Sequence, residues 1–369
     1  MVYTNKEWTT IHQKIINKVE SQLTLYKDGF PDGVYDNSTY KLCDCFSWTC
    51  GFWPAMLFLA YKNTKKPETL SVLRQFEKKQ NEGFNTPEKL HHDVGFMWYL
   101  TSAQDYNLTG FKEAKVNAMN AAAILASRFN PIGGYLRAWN DDSDDDHHMA
   151  GWAIIDCMIN LELLYWASEI SKDARFANIA NAHADSTIKN FVRPDGTTCH
   201  IVAYNPSTGA VEGVLKGQGY SADSAWSRGM SWAAYGFIKA YGYTGNEKYK
   251  EISQLVIKRF LELLGDGNVP PCDFFQPDEP HYLDSSAGAV VACALLDNAK
   301  HCPEQKDYFI NEAKKLLAVL TEKCADFDVD TQGILRHSTR LYHGDGKDCT
   351  LIYGDYYYME AIDKLVEML

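Results

Sequence analysis

Two kinds of helical segment alternate along this 369-residue chain. One kind is rich in Lys and Glu and carries a single apolar stripe, as in EKYKEISQLVIKRFLELL and EQKDYFINEAKKLLAVLTEK, so one side of it stays in water. The other is apolar nearly all round, as in GFWPAMLFLAY, HDVGFMWYL, AGWAIIDCMINLELLYW, SAWSRGMSWAAYGFI, SSAGAVVACALL and GDYYYMEAI, and has to be enclosed. The periodicity predicts about twelve helices, near residues 6–26, 51–63, 67–81, 92–105, 110–128, 149–170, 173–192, 223–242, 246–264, 285–300, 304–324 and 354–368. Six enclosed helices alternating with six half-exposed ones are what two concentric rings require. The expected fold is therefore all-α, an (α/α)6 barrel forming a single domain over residues 1–369. A solenoid of helical hairpins would not alternate so consistently.

In such a barrel the inner helices run the same way, so their N-termini converge at one mouth. The segments entering them hold Trp48 in SWTCGFW, His91 and His92 before Asp93, the acidic run DDSDDDHH at 141–148, GQGYSADSAWSRG at 217–229, YLDSSAG at 282–288 and IYGDYYY at 352–358. Helix dipoles and exposed backbone N–H groups at that mouth favour an anionic ligand. The formal net charge is −12, and no run of Lys or Arg is long enough to grip phosphates. Nucleic acid and anionic membranes are therefore poor partners, whereas a local cationic pocket still suits a small anion because screening hides distant charge.

The opening MVYTNKEWTTIHQKIINKVE lacks the apolar core of a signal peptide, and no stretch is long and apolar enough to span a bilayer. The ten cysteines are scattered, many inside helical patterns, which fits reduced thiols in a cytoplasmic protein. Cys43, Cys45 and Cys50 form C-x-C-x4-C with no fourth ligand at a recognisable spacing, so free thiols are expected there, with no metal and no cofactor. A monomer or weak homo-oligomer is expected.

Among residues able to carry chemistry, Asp156 lies in IIDCMINLELLYW, where an apolar helix leaves a carboxylate only the interior. The predicted helix places it about two turns in, beyond capping range, with Trp152, Ile159, Asn160 and Leu163 on its face. Asp93 opens a helix whose Phe96, Met97 and Leu100 share its inward face; capping the helix is the alternative role. Two enclosed carboxylates on successive inner helices suit proton transfer in a sugar-cleaving enzyme. Arg228 and Trp232, four apart, lie side by side on one enclosed helix and suit a carboxylate beside a pyranose ring, or a cation–π pair internal to the core. His200 stands in TTCHIVAYN, a strand-like alternation outside the helices.

Taken together, these strings resemble the unsaturated glucuronyl hydrolases of glycoside hydrolase family 88. The resemblance runs from WTCGFW at 48–53 through HHDVGF, GYLRAW, IIDCMINLELLYWA, GQG, WSRGMSW and YLDSSAGA to YGDYYYMEA at 353–361. It implies an (α/α)6 barrel that releases the 4,5-unsaturated uronic acid left when polysaccharide lyases cut glycosaminoglycans, acting on unsaturated uronate-containing di- and oligosaccharides. The reaction it implies begins by hydrating the C4=C5 vinyl ether. Asp156 would protonate C4 and then take a proton from the water adding at C5, and burial is expected to raise its pKa toward neutrality. Asp93 would hold ring hydroxyls. Trp48, Trp139 and Trp232 would be sugar-stacking walls, and His92, His200, Gln218 and Arg228 would hydrogen-bond the uronate. Cys50 and the 141–148 insertion depart from the pattern, and the HGDGKDC loop at 343–349, with Lys347, is where a second sugar would be met. The rival readings are an unsaturated rhamnogalacturonyl hydrolase on the same barrel, a sugar 2-epimerase using His92 and His200, and a silent carbohydrate-binding barrel.

Overall fold

The computed structural model describes residues 3–35, 39–141 and 149–369. The chain opens with amphipathic α1 (Asn5–Ser21) and apolar α2 (Phe52–Thr64), followed by α3 (Pro67–Gln80). Next comes one rod made of α4 (Val94–Trp98), a π-helical turn (Tyr99–Ala103) and α5 (Gln104–Thr109). The alternation continues through α6 (Lys112–Ser127), α7 (Cys157–Ser171), α8 (Ala174–Asn190), α9 (Ser227–Thr244), α10 (Glu247–Leu264), α11 (Ser285–His301), α12 (Lys306–Lys323) and α13 (Ile352–Glu367).

The enclosed members, α2, the α4–α5 rod, α7, α9, α11 and α13, each pack on the next, and α13 returns to α2, closing a ring. The amphipathic members lie outside: α6 touches α4 and α7, α8 touches α7 and α9, α10 touches α9 and α11, and α12 touches α11 and α13. Helix α1 covers the seam between α13 and α2. There Asp363 on α13 collects His12 Nε2 of α1 at 3.0 Å, Lys62 Nζ of α2 at 2.9 Å and Asn63 Nδ2 at 2.8 Å. This is the (α/α)6 barrel that the alternation of helix types predicts.

The connections divide by length. Four inner helices hand over to the following outer helix through two residues, the first left-handed: Lys65, Gly110, Lys172 and Gly245. The return connections, outer to inner, are long and carry all the strands of the described residues: β1 (Phe30–Val34), β2 (Lys41–Cys43), β3 (Phe129–Asn130), β4 (Tyr135–Leu136), β5 (Trp152–Ile154), β6 (Ile201–Tyr204), β7 (Val211–Leu215) and β8 (Thr350–Leu351). They pair antiparallel as β2-β1-β8, β3-β4 and β5-β6-β7. One end of the barrel is thus trimmed to tight turns and the other built up into a rim.

The helix predicted over 149–170 begins later. Residues 152–154 form β5, with Trp152 opposite Ala203 and Ile154 opposite Ile201, and α7 starts only at Cys157. Asp156 is therefore the residue before the helix, in helical dihedrals and with no side-chain cap hydrogen bond, rather than two turns in. An apolar run of this length reads the same as strand or buried helix, and the partner strand that decides between them lies about 50 residues away. Residues 142–148 of the acidic run lie outside the described residues. The ten cysteines are free thiols, and among the described residues no helix is long and apolar enough to cross a membrane.

One contact between an outer and an inner helix is sensitive to pH. Glu77 on α3 is buried beside Asp105 on the rod, and Arg74 spans Asp105 with bonds of 3.0 and 3.2 Å. Burial first, and the Asp105 charge second, push the Glu77 carboxyl up to about 8. The folded chain therefore binds a proton there that the unfolded chain releases above the ordinary Glu range, so this stability is complete at low pH and is lost as pH rises toward 8. Glu77→Gln is expected to raise the unfolding temperature at pH 8 and to change it little at pH 5, read from thermal melts at the two pH values.

Candidate active site

The site is assembled at the rim. Helices α4 and α7 approach so closely at Gly95 that a Cβ there would lie inside Asn160. The absent side chain lets the Asn160 amide bridge the two helices: Oδ1 accepts from Phe96 N at 2.7 Å, and Nδ2 donates to Asp93 Oδ1 at 3.0 Å. Asp93 Oδ1 also lies 3.2 Å from His92 Nε2, and Oδ2 lies 3.2 Å from His91 Nδ1. Burial alone would raise its carboxyl, but these two histidines outweigh burial and hold it well below the usual carboxylate range. Asp93 stands at the N-cap position of α4 yet makes no side-chain capping bond. Its carboxylate accepts from Asn160 instead and faces the two histidines.

Asp156 sits four residues before Asn160, on the same face at the start of α7. The β5–β6 pairing supplies its partner, since Ile155 N donates to His200 O at 3.0 Å and carries the two side chains to one spot. Asp156 Oδ2 lies 3.4 Å from His200 Nε2, and both atoms are buried without a hydrogen-bond partner among the described residues. The tautomer of His200 follows from its other nitrogen. Gln218 N donates to Nδ1 at 2.9 Å, so Nδ1 carries the lone pair and the neutral ring has its proton on Nε2, facing Asp156. A Cβ at Gly217 would overlap Nδ1, which accounts for the glycine in GQG.

The other expected residues complete a circuit. Trp48 packs on Phe96 at 5.4 Å and on Tyr353 at 4.8 Å; Arg228 lies 5.2 Å from the Tyr353 ring and 4.9 Å from Trp226; Trp226 lies tilted against His200 at 4.4 Å. Trp139 meets the edge of His200 at 6.4 Å, and Ala138 O accepts from His92 N at 3.2 Å, which returns to Asp93. Trp48 and Trp139 are half-buried.

Two expectations change. Trp232 is fully buried between Phe96 and Tyr357, 5.4 Å from each, so it is part of the floor and offers no face to a sugar. It lies one turn beyond Arg228, and that turn carries it below the mouth; the aromatic partners of Arg228 are Trp226 and Tyr353. Arg228 is itself enclosed. It pairs with Asp284 and donates to Thr339 O at 2.9 Å, Arg340 O at 2.6 Å and Gln218 Oε1 at 2.7 Å. Because a guanidinium only donates, the Gln218 oxygen faces Arg228 and its Nε2 is turned away from it.

Two contributors escaped the sequence reading. Trp226, inside SAWSRG, is the plate between His200 and Arg228. Arg128 bonds the carbonyls of Leu90, Arg137, Ala138 and Trp139, stapling the loop of His91 and His92 to the loop of Trp139. An Arg that ends an amphipathic helix reads as a surface residue, and only the structure shows it turned inward.

The sequence profile of Glycosyl Hydrolase Family 88 matches residues 28–366. The unsaturated chondroitin disaccharide hydrolase of Streptococcus pneumoniae is 32% identical, over 97% of this chain and 92% of its own. The solved unsaturated glucuronyl hydrolase of Bacillus sp. GL1, described as responsible for the degradation of glycosaminoglycan, superposes with a TM-score of 0.90 at 31% identity, covering 96% of both chains. A mutant unsaturated glucuronyl hydrolase of Streptococcus agalactiae, complexed with dGlcA-GalNAc6S, superposes with a TM-score of 0.83 at 25% identity, over 100% of this chain and 94% of the other.

Two substitutions test this geometry. Arg228→Ala strands the Asp284 carboxylate in the core and is expected to cost about 3–5 kcal/mol of stability, measured by denaturant unfolding. Gly217→Ala is expected to displace the His200 ring and lower kcat with little change in unfolding temperature, measured by steady-state kinetics beside a melt.

Proposed function

The chain belongs to glycosyl hydrolase family 88, and from that premise we propose that it is an unsaturated glucuronyl hydrolase that releases the 4,5-unsaturated uronic acid from lyase-generated glycosaminoglycan fragments. The single observation that carries the mechanism is the contrast between its two rim carboxylates. Asp93 is held as an anion by His91, His92 and Asn160. Asp156 keeps Oδ2 without a protein hydrogen bond, beside an imidazole whose N–H faces it. Asp93 is suited to holding sugar hydroxyls, and Asp156 to moving a proton.

In the proposed reaction Asp156 gives its proton to C4 of the vinyl ether, and positive charge develops at C5 beside the ring oxygen. A water oxygen bonds to C5 as the Asp156 carboxylate takes one of its protons, so the sum is addition of water across C4=C5. The resulting hemiketal opens to a C5 ketone and a hemiacetal at C1, which collapses to an aldehyde as the C1–O bond breaks and the neighbouring sugar leaves with the hydroxyl proton. The uronate carboxylate meets Gln218 Nε2 and His200, with Arg228 behind Gln218 fixing the amide and adding positive charge. Trp48 and Trp139 stand where a ring can lie on them. The barrel acts as one catalytic domain, and the ten free thiols favour a cytoplasmic setting.

Incubation with an unsaturated chondroitin disaccharide should remove the ultraviolet absorbance of the alkene. Asp156→Asn should lower kcat by about 10²- to 10⁴-fold with the melting temperature kept, because the amide preserves shape and cannot shuttle a proton. Faster turnover of an unsaturated rhamnogalacturonan disaccharide would assign the chain to pectin fragments instead, and absorbance unchanged on both substrates would remove the hydration reaction.

A further inference from the structure

The segment that leads from β7 into α9 holds two parts of the rim. Gln218 meets His200 through its backbone N–H and Arg228 through its side chain, and Trp226 lies against the His200 ring. Residues 216–225 form neither helix nor strand. Something else has to hold Gln218 in place.

A carboxylate from a different connection does so. Asp273 stands between α10 and α11 and is fully buried. Its Oδ2 accepts from Tyr220 N at 2.9 Å and Ser224 Oγ at 2.6 Å, and its Oδ1 accepts from Ala225 N at 3.2 Å and Phe275 N at 2.9 Å. An ionised carboxylate offers about four acceptor sites, and these uncharged donors fill them. Tyr220 and Ala225 are the two ends of the loop, so one side chain closes it. The backbone repeats the tie, since Phe274 N donates to Ala225 O at 2.9 Å and Ser227 N to Cys272 O at 3.1 Å.

A second observation is independent of these bonds. A Cβ at Gly219 would lie 2.6 Å from Asp273 Oδ2 and 2.8 Å from the Trp226 Cβ. Gln218 is thus flanked by two glycines, Gly217 making room for His200 and Gly219 for Asp273. Taking a carboxylate out of water is costly, and apolar packing closes a loop without that cost. What the carboxylate adds is direction, because several bonds of fixed geometry set the backbone on either side of it.

We propose that Asp273 is a positioning residue for the proton transfer, acting through Gln218 on His200 and so on Asp156. Holding Tyr220 N keeps Gln218 N, two residues back, on His200 Nδ1; the ring proton then stays on Nε2, 3.4 Å from Asp156 Oδ2. Asp273 is enclosed and touches no substrate. The inference rests on the reading of Asp156 as the group that moves the proton.

The test is nitrogen-15 NMR of the histidine side chains in the full chain at pH 8, beside steady-state kinetics, with the His200 signals identified by their loss in His200→Gln. In the unsubstituted chain His200 is expected to carry its proton on Nε2 alone. Asp273→Asn turns an NH2 group toward two of the donors, so His200 should show both tautomers and kcat should fall by about 10- to 100-fold. Ser224→Ala removes one donor and keeps the carboxylate; it should shift the tautomers and kcat the same way by less, and it decides the matter if melts show Asp273→Asn unfolded. A single Nε2-protonated His200 in every variant that folds, or an unchanged kcat in them, would overturn the proposal. If the unsubstituted chain leaves the alkene intact, the reaction itself is misread, and the His200 tautomer still decides whether Asp273 sets that ring.

Discussion

The Asn160 side chain is the joint on which the site depends. One amide satisfies a backbone N–H of α4 and a carboxylate of the same helix while standing on α7, so the two helices cannot slide or rotate without breaking a buried polar pair. Gly95 makes the joint possible by conceding the space. Because Asp156 shares the Asn160 face of α7, the joint also sets the distance between the carboxylate that is pinned and the one that keeps a free oxygen. A cavity lined by loops alone would leave that distance to loop motion.

Around the joint the rim uses the same economy of donors and acceptors. A guanidinium decides which way a glutamine amide points, a backbone N–H decides which nitrogen of a histidine carries the proton, and a second arginine ties two loops through their carbonyls. Each is a device that fixes orientation before a substrate arrives, which is where much of the rate of an enzyme originates. Arg228 and Asp284 show the cost of that strategy. Two charges are taken fully out of water, and two backbone carbonyls are spent on holding the guanidinium.

Much of the barrel was legible because helix type alternates in the sequence for a direct physical reason: one ring touches water and the other does not. The mouth was legible for a related reason, since same-sense inner helices collect their entry segments at one end. What escaped reading depended on partners far along the chain. Residues 152–154 are apolar enough for either state, and β6 makes them a strand. Trp232 and Trp226 look equivalent on paper, and nearly two turns of α9 separate floor from rim. Arg128 at the end of an exposed helix gives no sign that it turns inward. Gly217 and Gly95 are single letters whose meaning is the atom that would otherwise collide with them.

The seam of the ring joins helices that lie far apart in the sequence. Helices α1 and α2 find their inner neighbour in α13, and Asp363 there gathers His12, Lys62 and Asn63. During synthesis the first helical pair is made roughly 15 to 60 s before that neighbour exists, at typical elongation rates. Its apolar flank is without that neighbour for the interval, and the ring closes only once α13 has been made.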